Sequence, residues 1–134
     1  MCAHRRAGRA EYTLAQEGSS ARWARRLTAA YVTDDSDGDM VAADESDEAA
    51  LVVSELVTNA TVHGRGGCRL RLRRTGKHLT VEVHDSSPRL PKRRPDRAGA
   101  EDGRGLTLVE LLSHRLSVRV ERTGGKTVRA VLAT

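Results

Sequence analysis

The segment "CRLRLRR", residues 68–74, alternates without a break, and "HLTVEVHD", residues 78–85, does so again after the turn "TGK". Successive side chains on a strand point to opposite faces, so Cys68, Leu70 and Leu72 share a face with Leu79, Val81 and Val83. Arg69, Arg71 and Arg73 take the other face. The result is a hairpin with one apolar and one wet, basic side, which must be covered on the apolar side alone. Toward the C-terminus "RLSVRVER", "TGG" and "KTVRAVLA" predict a second hairpin, and "AEYTLA" predicts an edge strand.

The covering layer is legible as helices. From Ser19 or Ser20, either suitable as an N-cap, "ARWARRLTAAY" spaces Trp23, Leu27, Ala30 and Tyr31 as one amphipathic stripe. A second helix carries Leu51, Val52, Leu56 and Ala60 toward a core and ends at "HGRGG", where Gly64 suits a left-handed cap. A third period, "GRGLTLVELLSH", runs through Leu106, Val109 and Leu112. Strand, two helices, hairpin, long loop, helix and hairpin together predict an α+β fold. Its form is a two-layer α/β sandwich with a mixed, mostly antiparallel sheet covered by helices on one face.

A chain of 134 residues supports one domain. Residues 1–9 are basic and expected to be disordered, leaving 10–134 as the domain. With no Phe, one Trp and two Tyr, the core must be built from Leu, Val and Ala, and no aromatic platform for stacking bases is available. The net charge of +5 comes from 20 Arg and 3 Lys against 18 acidic residues. Eight acidic and no basic residues lie between Asp34 and Glu48, so direct nucleic-acid binding through the face of Arg69, Arg71 and Arg73 is not expected. Cys2 and Cys68 have no metal or redox spacing and read as free thiols. No run approaches a membrane span or a signal peptide, and a cytoplasmic location is expected.

Three short stretches carry candidate chemistry. In "ELVTNATVHG", Glu55, Asn59 and His63 recur every four residues and form a polar ridge beside the apolar stripe. A carboxylate one turn before a carboxamide suits a magnesium-bound phosphate with a base nearby; a solvated helix face has the same pattern. In "VEVHDSSP", Asp85 ends a strand, where it is able either to accept from an exocyclic amine or to cap a turn. In "EDGRGLTLVE", Gly103 and Gly105 flank Arg104 at a helix start, a place where free N–H groups and the dipole meet a phosphate.

Taken in order, these stretches resemble the GHKL ATP-binding (Bergerat-fold) superfamily of gyrase, histidine kinases and mismatch-repair ATPases. Within it the chain is most similar to bacterial anti-sigma factor serine/threonine kinases, from about Glu11 to Thr134. "ELVTNATVHG" resembles the N box, "VEVHDSSP" and "GRGLTLVE" the glycine-box regions, and "GGKT" the closing strand motif. The family's glycines after the Asp are replaced here by Ser87 and Arg89. The resemblance implies that Asn59 coordinates Mg²⁺ and that Glu55 is the general base. It further implies that Asp85 accepts from the adenine amino group with Thr127 in support, and that Gly103, Arg104, Gly105 and Leu106 hold phosphates. His63 is implied at the phosphate side or as a structural residue, and residues 86–102 are implied as an ATP lid.

The function this implies is an ATP- and Mg²⁺-dependent protein serine/threonine kinase. It would phosphorylate an anti-anti-sigma (STAS-type) partner and regulate transcription by sequestering a sigma factor. The alternative is a catalytically silent ATP-binding module that only sequesters a regulator. Homodimerisation is a family expectation.

Overall fold

Two apolar rows and a third that turns charged at its centre cross one face of a six-stranded antiparallel sheet, and they decide where everything else goes. The computed structural model describes residues 2–6, 8–34, 43–63, 66–87, 108–122 and 124–133. In chain order the elements are β1 (Cys2–Arg6), β2 (Arg9–Leu14), α1 (Ser20–Asp34), α2 (Ala43–His63), β3 (Cys68–Thr75), β4 (His78–Asp85), β5 (Arg115–Glu121) and β6 (Gly125–Ala133). Residues 108–112, before β5, are helical. The strand order is β1-β2-β3-β4-β6-β5. Every neighbouring pair among the described residues is antiparallel, so the mixed sheet expected from the sequence is not found there.

Register places Ala10, Leu72, Val81, Ala130 and Leu116 side by side in one row, and Tyr12, Leu70, Val83, Val128 and Val118 in the next. The third row, Leu14, Cys68, Asp85, Lys126 and Val120, sits at the end of the sheet where β4 stops and β6 begins. Its two central members are charged. Leu70, Leu72, Leu79 and Val81 are fully buried under the helices, each contributing about 1.5–3 kcal/mol by removal from water. Truncating Leu70 to Ala costs more than that transfer alone, about 2–5 kcal/mol, because the helices above do not collapse fully into the void.

α2 covers β3, β4 and β6, and α1 packs along α2. On α2 the buried face is Ala49, Val52, Val53, Leu56, Val57 and Ala60. Leu51, expected in the core, is instead 36% exposed, because the stripe runs through Val53 and Val57 on its other flank. On α1 the core face is Ser20, Ala24, Thr28, Tyr31 and Val32. Trp23, expected to face inward, is 48% exposed and lies under the Arg26 guanidinium, 5.7 Å from ring centroid to Cζ. Small Ala24 and Thr28 let α1 approach closely where an indole would hold it away. Thr28 satisfies its hydroxyl on the Ala24 carbonyl at 2.7 Å.

Tyr31 ties the layers together. Its buried hydroxyl donates to the Gly8 carbonyl at 2.7 Å and accepts from the Arg74 amide at 3.1 Å. That arrangement pins α1 to the turn ahead of β2 and to the far end of β3. Gly8, at φ 74°, makes the turn that folds β1 back on β2.

The N-terminus therefore departs from expectation. Residues 2–6, expected to be disordered, form β1 and pair with β2 from Cys2↔Thr13 to Arg6↔Arg9. Strand pairing requires only main-chain donors and acceptors, and the free edge of β2 supplies them without apolar alternation in the added strand. As a result β2 is an interior strand rather than the expected edge.

Candidate functional site

Asp85 and Lys126 face each other across the β4–β6 ladder on the helix-covered side of the sheet. Lys126 Nζ lies 2.9 Å from Asp85 Oδ1, with side-chain exposures of 5% and 2%. Two further bonds order the pair: the Ser87 amide donates to Asp85 Oδ1 at 2.8 Å, and Lys126 Nζ donates to the Ser87 carbonyl at 3.3 Å. Ser87 thus closes a turn on the carboxylate, as Asp before Ser-Ser allows. Both readings of Asp85 are compatible with this geometry, since the turn occupies Oδ1 and leaves Oδ2.

Withdrawing an ion pair from water is costly, and such a pair is a poor stabilising device compared with apolar residues of similar size. The cost shows at its neighbour. Cys68, next to Asp85 in the row, has its thiol pushed up to about 11 by burial first and by the Asp85 charge second. It stays a neutral thiol, free of any disulfide.

The backbone near this row is tight. A Cβ on Gly125 would lie 2.6 Å from the Asp85 carbonyl oxygen and 3.3 Å from His84 Cε1. Gly67 is more crowded, because a Cβ there would run into the Leu14 carbonyl. Only glycine lets β6 and β3 enter the sheet at this end.

The last turn of α2 is tied to the same end of the sheet. Gln16, two residues past Leu14, donates through Nε2 to the Thr61 carbonyl at 3.1 Å. That bond holds the last turn of α2 over the end of the sheet where Leu14, Cys68 and Asp85 lie in register. Glu55 and Asn59 are one turn apart on α2 and half-buried. His63 is the last residue of the helix. Gly103, Arg104, Gly105 and Leu106, together with the 88–102 part of the expected lid, lie outside the described residues.

Thr127 corrects the expectation built on it. It pairs with His84 across β4–β6 and with Arg119 across β5–β6, on the open face of the sheet. There His84 Nδ1 and Thr127 Oγ1 are 3.1 Å apart, and Thr127 donates to Glu121 Oε1 at 3.1 Å. With its proton committed to Glu121, the hydroxyl accepts from His84 Nδ1–H. Period two explains the outcome: Val128, Ala130 and Leu132 face the core, so Lys126 does too and Thr127 does not. The residue beside Asp85 is Lys126, the lysine of the motif "GGKT".

The open face also carries a cavity of about 250 Å³ lined by Arg69, Arg71, Glu82, His84, Arg119, Glu121 and Thr127. It lies across the sheet from Asp85. Its cations already have carboxylates beside them: Arg69 and Arg71 share Glu11 at 3.5 and 3.6 Å, and Arg119 reaches Glu121 at 3.6 Å. Such half-exposed pairs contribute little to stability, yet they reduce the free charge this face offers to a polyanion.

Among the described residues no group of three or more His, Cys, Asp or Glu is placed to hold a metal. No helix among them is long and apolar enough to cross a membrane. Comparison with known families finds that the model of the histidine kinase-like ATPase domain matches residues 13–132. Comparison with curated proteins finds no match.

Proposed function

Because the chain belongs to the family of histidine kinase-like ATPase domains, and so is an ATP-binding domain of that type, we propose that it is a protein serine/threonine kinase. It transfers the γ-phosphate of ATP to a Ser or Thr of an anti-anti-sigma (STAS-type) protein, and in its other state it holds a sigma factor. The observation that supports this reading most is the position of Asp85. A buried carboxylate with one oxygen to spare lies at the sheet end to which Gln16 ties the last turn of α2.

In this reading Asp85 Oδ2 accepts from the adenine amino group and fixes the base. Asn59 offers a neutral oxygen from a half-buried helix position. A single such ligand suits Mg²⁺, which keeps several waters and takes its other ligands from phosphate, and does not suit an all-protein cage. Bound there, the ion neutralises charge on the phosphates. Phosphoryl transfer asks a protein mainly for positioning and charge complementarity. Glu55, one turn before Asn59, takes the proton from the attacking hydroxyl, and Arg104 with its flanking glycines holds the phosphates.

The test is to incubate the protein with γ-labelled ATP, Mg²⁺ and STAS-type proteins. Label on a Ser or Thr of the partner supports the kinase. A partner that is bound but never labelled would replace the kinase with a nucleotide-gated binding module.

A further inference from the structure

We infer that Lys126 is a base-reading residue, donating from its ammonium to the N1 acceptor of adenine beside the amino group that Asp85 accepts. This inference rests on the reading above that the site takes ATP, and it adds a second point of recognition supplied by this chain's own lysine.

Among the described residues Asp85 Oδ1 is saturated by Lys126 Nζ at 2.9 Å and the Ser87 amide at 2.8 Å, while Oδ2 has no partner. Lys126 has three N–H bonds. One goes to Asp85 Oδ1 and one to the Ser87 carbonyl at 3.3 Å, which leaves one. The pair therefore presents one free acceptor and one free donor, adjacent and fixed. The Watson–Crick edge of adenine presents the complement: the N6 amine donates and N1, next to it, accepts.

The surroundings favour recognition over stabilisation. The pair is flanked in its row by Cys68 on one side and Val120 on the other, with the apolar rows behind it. An ammonium placed there for stability alone would serve less well than an apolar side chain. The bonds to Asp85 Oδ1 and to the Ser87 carbonyl hold the lysine in one geometry, so the donor is pre-oriented and little entropy is lost when a base arrives.

The experiment compares ATP with 1-deaza-ATP, which lacks the N1 acceptor, and with 7-deaza-ATP as a control altered elsewhere on the ring. Wild-type protein is expected to bind 1-deaza-ATP about tenfold or more weakly than ATP, the usual scale for a hydrogen bond from a charged donor, and 7-deaza-ATP as tightly as ATP. Lys126→Met is expected to bind ATP and 1-deaza-ATP alike, and Lys126→Arg to keep the discrimination. The wild-type comparison needs no variant to fold. If ATP binds, Asp85→Asn abolishes binding and 1-deaza-ATP binds as tightly as ATP, then Lys126 only neutralises Asp85 and the inference fails while the ATP reading stands. If ATP itself does not bind, both fail.

Discussion

Lys126 Nζ sits 2.9 Å from Asp85 Oδ1 in the row of the sheet where the apolar face gives way to charge. Each member is tolerable only because of the other. Removing one partner of a buried pair leaves an uncompensated charge and costs about 3–5 kcal/mol, whereas removing both costs much less. Denaturant unfolding of Lys126→Met, Asp85→Asn and the double variant should therefore show strong non-additivity, the double variant being more stable than the sum of the singles predicts. Additive losses would mean that the two groups do not depend on each other.

Glu55→Gln preserves the shape of the α2 ridge and removes the proton acceptor. ATP binding should be unchanged, and transfer to a serine-bearing partner should fall about 10²–10⁴-fold, the range for loss of a general base. Transfer at the wild-type rate would remove Glu55 from the chemistry.

Thr127→Val separates the structure from the family resemblance. The hydroxyl serves His84 and Glu121 on the open face, so its loss should cost about 1 kcal/mol of stability. It should leave ATP affinity where it was. A large loss of affinity by calorimetry would return Thr127 to the nucleotide site.

Cys68 makes a prediction about pH. Its folded pKa is raised to about 11 from an ordinary value of 9.0. As pH rises past the ordinary value the unfolded chain loses this proton first, so the unfolded state is favoured. The contribution to stability is accordingly level below about 9 and falls between about 9 and about 11. Iodoacetamide should label Cys68 slowly at pH 8 in the native protein and quickly in denaturant. Rapid native labelling would show the thiol to be accessible or ionised.

Much of the fold was legible because its signals are local. Both hairpins follow from alternation, and the β3–β4 pairing from Cys68↔Asp85 to Thr75↔His78 is the one the turn "TGK" dictates. The helices were legible in place but less so in rotation. Size and apolarity point to Trp23 and Leu51 as core residues, whereas close packing of α1 on α2 selects Ala24, Thr28, Val53 and Val57. Strand β1 carries no apolar pattern, because its cause is the free edge of β2. At the site, the ridge of Glu55 and Asn59 and the strand-end Asp85 were readable from spacing. Lys126 was readable too: the period set by Val128, Ala130 and Leu132 puts it on the Asp85 face, and following the motif letter by letter pointed instead to Thr127. A buried cation beside a carboxylate is a tertiary fact, which one strand alone does not announce.

The most direct measurement is calorimetric titration of ATP with Mg²⁺ into the wild-type protein and into Asp85→Asn, with circular dichroism to establish that both are folded. The account predicts saturable binding by the wild type and none by the variant. Equal affinity in a folded variant, or no binding by the wild type at millimolar ATP, would contradict the assignment of Asp85 as the residue that reads the base.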